Sequence, residues 1–242
     1  MITAHTDVVG SLLRPAFLQR ARAQLTEGHI QQLDYSLYED QAVNQAIALQ
    51  EDCGLEICTD GEMRRLSFQS QIVEAVEGFS EHDSNAFLWG NWLGDREIGN
   101  WNIERPKHLS VMGKLTRRKF PTVAEFSYLC KRTRLIPNIY PKTRAWKSDF
   151  WDSDSHTEAY ASLDSFLADV VAIMREEITE LVTLGIQYIQ IDAPYYTLLL
   201  DSETRAFYEA QGWTLEQWLR FGVELDNAIM EGFPSVTFGF HL

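Results

Sequence analysis

Five polar residues stand where predicted strands end, and their side chains are of the types that bind and transform small molecules. Ser11, Asp60, Glu62, Asp192 and His241 each follow a short apolar run. Carboxylates bind cationic groups through charge-assisted hydrogen bonds, which are the strong kind. In a barrel of parallel strands, the carboxyl ends of the strands face the catalytic mouth. This placement therefore predicts one shared site.

The segments that would position these residues alternate strand with helix. Apolar residues at helical spacing predict one helix that runs from Tyr35 to Cys53 and another from Leu163 to Val182, which Gly54 and Gly185 end. Thr122 with Glu125, and Thr214 with Gln217, predict capping boxes at the start of two more helices. The predicted strands are the run that ends at Ser11 and residues 55–59, 109–115, 134–136, 186–191 and 236–240.

Six strands that alternate with helices predict a parallel α/β architecture. A doubly wound sheet and a barrel both fit, but the first strand-to-helix turn has no GxGxxG or phosphate-binding loop, which weakens the nucleotide-binding sheet. We expect a TIM-type (β/α)8 barrel with about six units, as a single incomplete domain over residues 1–242. Residues 85–106 break the rhythm with Trp89, Trp92 and Trp101. They predict a hairpin excursion that either lines a ligand pocket or caps the barrel.

The composition excludes several classes of protein. The chain has 35 acidic and 21 basic residues and a net charge of −14, which argues against nucleic-acid or anionic-membrane partners. Hydrophobic residues make up 45%, so wholesale disorder is ruled out. There is no apolar run of about 20 residues and no secretory signal pattern. The three cysteines form no CxxC pair, which predicts a cytoplasmic setting, and Cys53 and Cys58 are interpreted as buried packing residues.

Three segments together resemble the cobalamin-independent methionine synthase family, in its C-terminal catalytic barrel and its single-barrel relatives. They are VGSLLRP at 9–15, TDGEMRR at 59–65 and GIQYIQIDAP at 185–194. Their order, their spacing and their common place at strand ends make the combination specific. The resemblance runs from residue 5 to the end of the chain.

The resemblance implies a zinc-dependent methyltransferase. The family moves a methyl group from 5-methyltetrahydrofolate, in its poly-glutamylated form, to homocysteine, giving methionine. Zinc holds the acceptor sulfur as a thiolate, and a general acid protonates N5 of the donor. By position, Val9, Gly10 and Ser11 would hold the amino-acid substrate, Glu62 would contact it, and Asp192 would bind its amino group.

His241 matches the histidine of a His-x-Cys zinc pair at the end of the family's sixth strand. A catalytic zinc site needs three protein ligands and an open position. The sequence stops at Leu242, before the cysteine and the remaining ligands. The family's proton-donor histidine would likewise lie beyond Leu242, so the sequence offers no catalytic residue for that role. We therefore expect a portion of a longer protein or a truncated chain, with His241 as its metal ligand.

The sequence also departs from the family pattern on the side of the methyl donor. Ala193 and Leu198 stand where the family has acidic residues, and the second of these helps to bind folate. Trp146 matches a pterin-stacking tryptophan with loose spacing. The thiol-activating half of the reaction is therefore better supported than the folate half.

Each candidate residue also has an ordinary structural interpretation. Ser11 suits the N-cap of a helix over residues 12–25. Glu62 suits a salt bridge with Arg64 or Arg65, Asp192 suits a cap on the next helix, and His241 suits an ordinary terminal histidine.

Two other functions stay open. One is a related zinc-thiolate alkyl transferase of the epoxyalkane:coenzyme M type. The other is a non-catalytic barrel completed by another chain or a homo-oligomer, because an unclosed barrel exposes strand edges. The uroporphyrinogen decarboxylase type of barrel shares only the architecture, and fold alone does not decide function.

Overall fold

The computed structural model describes residues 6–65, 75–81, 109–139, 159–193, 195–210 and 213–242. The helices, in chain order, are α1 Ala16–Thr26, α2 Gln32–Asp52, α3 Pro121–Cys130, α4 Leu163–Thr183, the short α5 Tyr195–Leu198, α6 Ser202–Ala210 and α7 Leu215–Met230. The strands are β1 Ile57–Cys58, β2 Val76–Glu81, β3 Leu109–Arg117, β4 Ile136–Ile139, β5 Tyr188–Asp192 and β6 Thr237–His241. The predicted hairpin at residues 85–106 lies outside the described ranges.

A four-stranded parallel sheet in the order β1-β4-β5-β6 forms the centre of the fold. Its longest pairing runs between β5 and β6, from Tyr188 opposite Thr237 to Asp192 opposite His241. Because residues paired across parallel strands share a face, this register puts Asp192 and His241 side by side at the carboxyl ends of their strands. The predicted α/β class with a parallel sheet is confirmed.

The two faces of this sheet have different partners. Ile139 and Ile189 point to one face, where they join Phe166 and Ile178 of α4 in the main hydrophobic core. The alternate residues point to the other face, which carries polar groups. Along β5 and β6 these residues are Tyr188, Gln190, Asp192, Thr237, Gly239 and His241.

Two helix starts were predicted from capping signals, and only one has the predicted cap. The capping box of Thr214 with Gln217 begins α7 as predicted. The box predicted for Thr122 with Glu125 is wrong, because α3 already begins at Pro121 and has no side-chain cap. Thr122 instead bonds to Glu177 of α4 through both its backbone nitrogen and its hydroxyl. No described helix combines the length and the apolar character that crossing a membrane requires.

Three further predictions need correction. Residues 109–117 do form a strand, but β3 pairs antiparallel with β2 in a separate two-stranded sheet and is not a unit of the parallel sheet. The run that ends at Ser11 is irregular over residues 6–11 and forms no strand. Cys53 is exposed at the end of α2, whereas Cys58 is buried in β1 as predicted.

Candidate active site

A tight turn after β1 aims the side chain of Glu62. Gly61 has a φ of 66° and Glu62 a φ of 55°, so a non-glycine residue occupies the left-handed region. The Asp60 carboxylate accepts the Glu62 backbone N–H at 2.8 Å, which stabilises this conformation. Leu12 donates its backbone N–H to the Gly61 carbonyl at 3.1 Å. The first and second motifs of the sequence are therefore joined backbone to backbone.

Both carboxylate oxygens of Glu62 have a partner. Ser11 donates its hydroxyl to Oε2 at 3.1 Å, and Arg65 donates Nη1 to Oε1 at 2.9 Å. The salt-bridge interpretation of Glu62 is thus confirmed for Arg65, while Arg64 bonds to Asp40. The N-cap interpretation of Ser11 is wrong, because α1 begins five residues later and its N-cap is Pro15.

Arg14 ties the first motif to the second, and sequence reasoning missed it as a site residue. Its Nη2 donates to the Ser11 hydroxyl at 3.2 Å and to the backbone carbonyls of Glu62 and Arg65 at 3.2 and 2.8 Å. All three acceptors are neutral oxygens. The position of Arg14 inside the first motif, next to Pro15, is the sequence feature that could have marked it as a site residue. In the same segment Val9 is 40% exposed, and Gly10 has a φ of 73°.

Arg65 is buried between two carboxylates. Besides Glu62 it binds Glu125 of α3, with Nη2 to Oε2 at 2.9 Å and Nε to Oε1 at 3.4 Å. Asp60 lies in the same cluster, with its Oδ2 buried and unpartnered among the described residues. Burial, and after it repulsion from Glu125, raises the pKa of Asp60 to about 7. The cluster therefore holds more acidic groups than cations.

The third motif forms a second hydrogen-bonded pair. His241 Nδ1 lies 2.6 Å from Asp192 Oδ1, and their side chains are 42% and 20% exposed. The β5–β6 register, which sequence spacing cannot reveal, brings them together. His241 is therefore held in a fixed orientation at the strand end.

The irregular segment before Ser11 connects the two pairs. The Tyr188 hydroxyl donates to Asp7 Oδ2 at 3.4 Å. Burial raises the pKa of Asp7, against the opposing effects of this hydrogen bond and of nearby His241. Asp7 precedes Ser11 by four residues, so their Cα atoms are at most about 14 Å apart. Glu62 follows β1, and Asp192 and His241 end β5 and β6. Because these strands run parallel, both pairs lie at the carboxyl end of the sheet.

Gly239 lies against the ring of Tyr188 and leaves no space for a larger side chain. Adding a side chain at this position should therefore lower the stability of the protein. A Cβ at Gly239 would overlap the Tyr188 hydroxyl and lie 2.9 Å from its Cζ. We expect Gly239→Ala to lower the free energy of unfolding in urea by about 1–3 kcal/mol, because a packed ring must move. Gly113→Ala is the matched strand control, since its Cβ would be 3.5 Å from the nearest atom, and it should change stability by less than about 0.5 kcal/mol. Equal effects of the two substitutions would contradict this explanation.

The described ranges contain no cluster of side chains that could hold a metal ion. No three His, Cys, Asp or Glu side chains there are grouped to hold an ion. Cys58 does not supply a thiolate, because burial raises its pKa to about 11. Among the described residues, His241 is the one candidate metal ligand that lies at a strand end and contacts a carboxylate able to orient its ring. A histidine that binds metal through one nitrogen commonly bonds a carboxylate through the other, and the His241–Asp192 contact has that form.

The residue after His241 adds no chemistry to this strand end. Leu242 is 62% exposed, and its aliphatic side chain can neither bind a metal nor transfer a proton. The proton-donor histidine that the resemblance implies was expected beyond Leu242, and this expectation stays a prediction. No catalytic proton donor is therefore assigned among the described residues, which supply candidate binding groups and one candidate metal ligand.

A separate cavity of about 890 Å³ lies between α1, α2 and α3. Arg65 and Glu125 form part of its wall, with Tyr35 and Tyr128. Its described lining does not include Ser11, Glu62, Asp192 or His241. We assign the candidate site to the sheet end, because the polar groups of all three motifs follow the carboxyl ends of its parallel strands or bond to residues that do.

No protein-family model matches this chain. It is 27% identical to a methionine synthase of Sulfolobus acidocaldarius over 78% of its own length and 51% of that protein. It is 30% identical to the 5-methyltetrahydropteroyltriglutamate–homocysteine methyltransferase of Corynebacterium efficiens, over 81% of its own length and 24% of that enzyme. The chain thus spans about half of the first protein and a quarter of the second.

A solved structure has the same fold. The putative vitamin-B12-independent methionine synthase of Listeria monocytogenes superposes with a TM-score of 0.71 at 18% identity. The match covers 98% of this chain and 64% of that one. At this identity the likeness concerns the fold alone.

Proposed function

We propose that this chain, a relative of the cobalamin-independent methionine synthases, carries substrate-binding residues of a zinc-dependent methyltransferase. The reaction we propose moves a methyl group from 5-methyltetrahydrofolate, poly-glutamylated, to homocysteine and gives methionine. The observation that carries the proposal is the pairing of motif residues, Ser11 with Glu62 and Asp192 with His241, at one end of the sheet. The proposed partners are these two small molecules.

The binding roles follow from charge and position. Val9, Gly10 and Ser11 would hold the amino-acid substrate through backbone groups and the serine hydroxyl. Glu62 and Asp192 would bind its ammonium group, because two carboxylates at one rim attract a cation and form charge-assisted hydrogen bonds. Asp192 would also hold the His241 ring, which it already contacts at 2.6 Å.

The finer fold that we propose is an arc of a (β/α)8 barrel. Support comes from the parallel order β1-β4-β5-β6, from the helices packed on one face and from the polar groups on the other. In such a barrel the carboxyl ends of the strands form the mouth, where Asp192 and His241 lie.

Zinc, when bound, would supply a thiolate from the acceptor thiol at neutral pH. In this chain His241 would be its ligand, with Asp192 as the orienting carboxylate. Any further ligands would have to come from outside the described residues, which contain no group of three. The roles of Ser11, Glu62 and Asp192 in holding the amino acid do not depend on the metal.

The donor is the less supported part of this proposal. Ala193 and Leu198 lack the acidic groups that the family pattern has at these positions. A related alkyl transferase with another thiol or donor therefore stays the second candidate. Methyl transfer assayed with homocysteine and coenzyme M as acceptors would separate the two.

The binding half can be tested on the chain itself. We expect calorimetry to detect L-homocysteine binding, and Asp192→Asn to weaken it about 10- to 100-fold, since the loss of one charge-assisted hydrogen bond to the ammonium is worth about 1.5–3 kcal/mol. Elemental analysis of the same sample reports its zinc content.

Asp201→Asn is the matched control for this substitution. Asp201 is exposed and bonds Thr204 at the start of α6, and neither of these two hydrogen bonds involves Asp192 or His241. Its replacement should leave the affinity unchanged. An Asp192→Asn variant that binds homocysteine as well as the wild type would refute the assigned role of Asp192.

A further inference from the structure

The cavity between α1, α2 and α3 has the size of a small-molecule site. Its volume is about 890 Å³, and ligand pockets in proteins commonly enclose about 300–1,000 Å³. Part of its wall is apolar and is formed by Leu25, Phe120, Pro121 and Ala124. The cavity can therefore receive the apolar body of a ligand, and the charged residues of the wall decide which head group such a ligand would carry.

The wall holds charged residues of both signs. They are Arg22, Arg64, Arg65, Lys119, Glu39 and Glu125. Both carboxylates lie beside an arginine of the same wall, because Glu125 binds Arg65 at 2.9 Å and Glu39 lies 3.9 Å from Arg64. These two arginines are thus already paired with acidic groups, and an anion in the cavity would have to be held by another cation.

Arg22 differs from these two arginines, because its partner is an uncharged residue. Its Nε donates to the Tyr35 hydroxyl at 3.0 Å, and its Cζ lies 5.3 Å from the centroid of the Tyr35 ring. Tyr35 is 2% exposed, so a buried ring orients the guanidinium. In the part of the chain that the structure describes, the Arg22 guanidinium makes no ion pair and no further hydrogen bond. The four N–H groups of its two terminal nitrogens are therefore left for a ligand.

We propose that this cavity binds a small organic carboxylate. Its two oxygens accept hydrogen bonds from the terminal nitrogens of Arg22, an arrangement that is both strong and geometrically specific, and its apolar body lies along the apolar wall. A single negative charge fits better than the two of a phosphate, because Glu39 and Glu125 would repel a dianion more strongly. The inference goes beyond the proposed function and does not depend on it, since the described lining contains no candidate residue of the sheet-end site.

The test compares two probes of similar shape, of which only one is charged. 4-Fluorobenzoate and 4-fluorobenzamide are titrated into the full chain at pH 7.5 and followed by fluorine NMR. We expect the wild type to bind the carboxylate at least about tenfold more tightly than the amide, the factor that corresponds to ~1.4 kcal/mol. Arg22→Gln should remove this preference, and it should leave the affinity for the amide unchanged.

Arg20→Gln is the matched control for this substitution. Arg20 lies on the same helix, is exposed and is not part of the described cavity lining. Its replacement should leave both affinities unchanged. Two further variants test how Arg22 acts. Arg22→Lys keeps the charge but loses the planar fork, and Tyr35→Phe removes the hydroxyl that orients the guanidinium, so each should reduce the preference for the carboxylate.

Several results would overturn the inference. They are equal wild-type affinities for the two probes, equal losses in Arg22→Gln and Arg20→Gln, and displacement of 4-fluorobenzoate by less inorganic phosphate than acetate. Thermal melting followed by circular dichroism shows whether each variant is folded. Should Arg22→Gln not fold, an undiminished preference in both Arg22→Lys and Tyr35→Phe overturns the inference instead. Homocysteine binding at the sheet end is measured separately, so the proposed function stands or falls on its own result.

Discussion

Arg65→Met is expected to lower the free energy of unfolding by about 3–5 kcal/mol, the range for removing one partner of a buried ion pair. Arg65 is 3% exposed and binds Glu62 and Glu125, each at 2.9 Å. Methionine fills a similar volume but leaves buried carboxylates without their shared cation. Urea unfolding at pH 7.5 measures the loss.

The neighbouring residue supplies the matched control for this substitution. Arg64 binds Asp40 at 2.6 Å, but the two side chains are 23% and 39% exposed, so water screens the pair. Arg64→Met should change the unfolding free energy by less than about 1 kcal/mol. The deficit of Arg65→Met should also shrink at pH 5, because Asp60, whose pKa is raised to about 7, is then protonated and the cluster carries less negative charge. Equal losses in both variants, or a loss independent of pH, would contradict the buried-cluster explanation.

Asp60 is expected to make the protein less stable as the pH rises through neutrality. Its pKa is raised from 3.8 to about 7, chiefly by burial and secondly by Glu125. A carboxyl whose pKa is higher in the folded state binds more protons there than when unfolded. Its contribution to stability is therefore fully present below about pH 4 and is lost as the pH rises through 7, by roughly 2–4 kcal/mol in all.

Asp60→Asn isolates this contribution. The amide oxygen can still accept the Glu62 backbone N–H, as Oδ1 does at 2.8 Å, but the side chain no longer ionises. We expect the variant to match or fall below the wild type at pH 4 and to gain relative to it by a few kcal/mol at pH 8. Urea unfolding at half-unit pH steps gives both curves.

Asp201→Asn is the control, because the pKa of Asp201 is shifted in the opposite direction to that of Asp60. Hydrogen bonds from the Thr204 backbone and side chain lower the pKa of Asp201, so its ionised form favours folding and its replacement should not stabilise the protein at high pH. Parallel curves for the wild type and Asp60→Asn between pH 5 and 8 would show that Asp60 does not titrate in the folded protein as inferred.

The sequence predicted the members of the candidate site, whose roles stay predictions, but it did not predict their contacts. Ser11, Glu62, Asp192 and His241 were identified from motif positions at strand ends, and the family resemblance is confirmed by the relatives. Their pairing could not be read from the sequence, because 51 residues separate Ser11 from Glu62 and 49 separate Asp192 from His241. Arg14 and Tyr188 were missed for the same reason.

Glu125 illustrates how a local pattern can mislead. Threonine followed three residues later by glutamate is the sequence form of a capping box, and the energy of such a box depends on neighbouring residues alone. In the folded chain Glu125 binds Arg65, 60 residues away, and Thr122 binds Glu177. Charge-assisted hydrogen bonds from a buried guanidinium stabilise a carboxylate more than a backbone N–H at a helix start does, so Glu125 forms the tertiary contact.

The amino-acid sequence by itself determined the long helices, the parallel α/β class and the residues at the strand ends, because periodic burial and short-range turns depend on neighbours in the chain. Tertiary structure alone decided the direction of β3, the exposure of Cys53 and the sharing of Arg65 between Glu62 and Glu125. These features depend on which distant groups become buried together, since charges out of water must find a partner wherever the fold provides one.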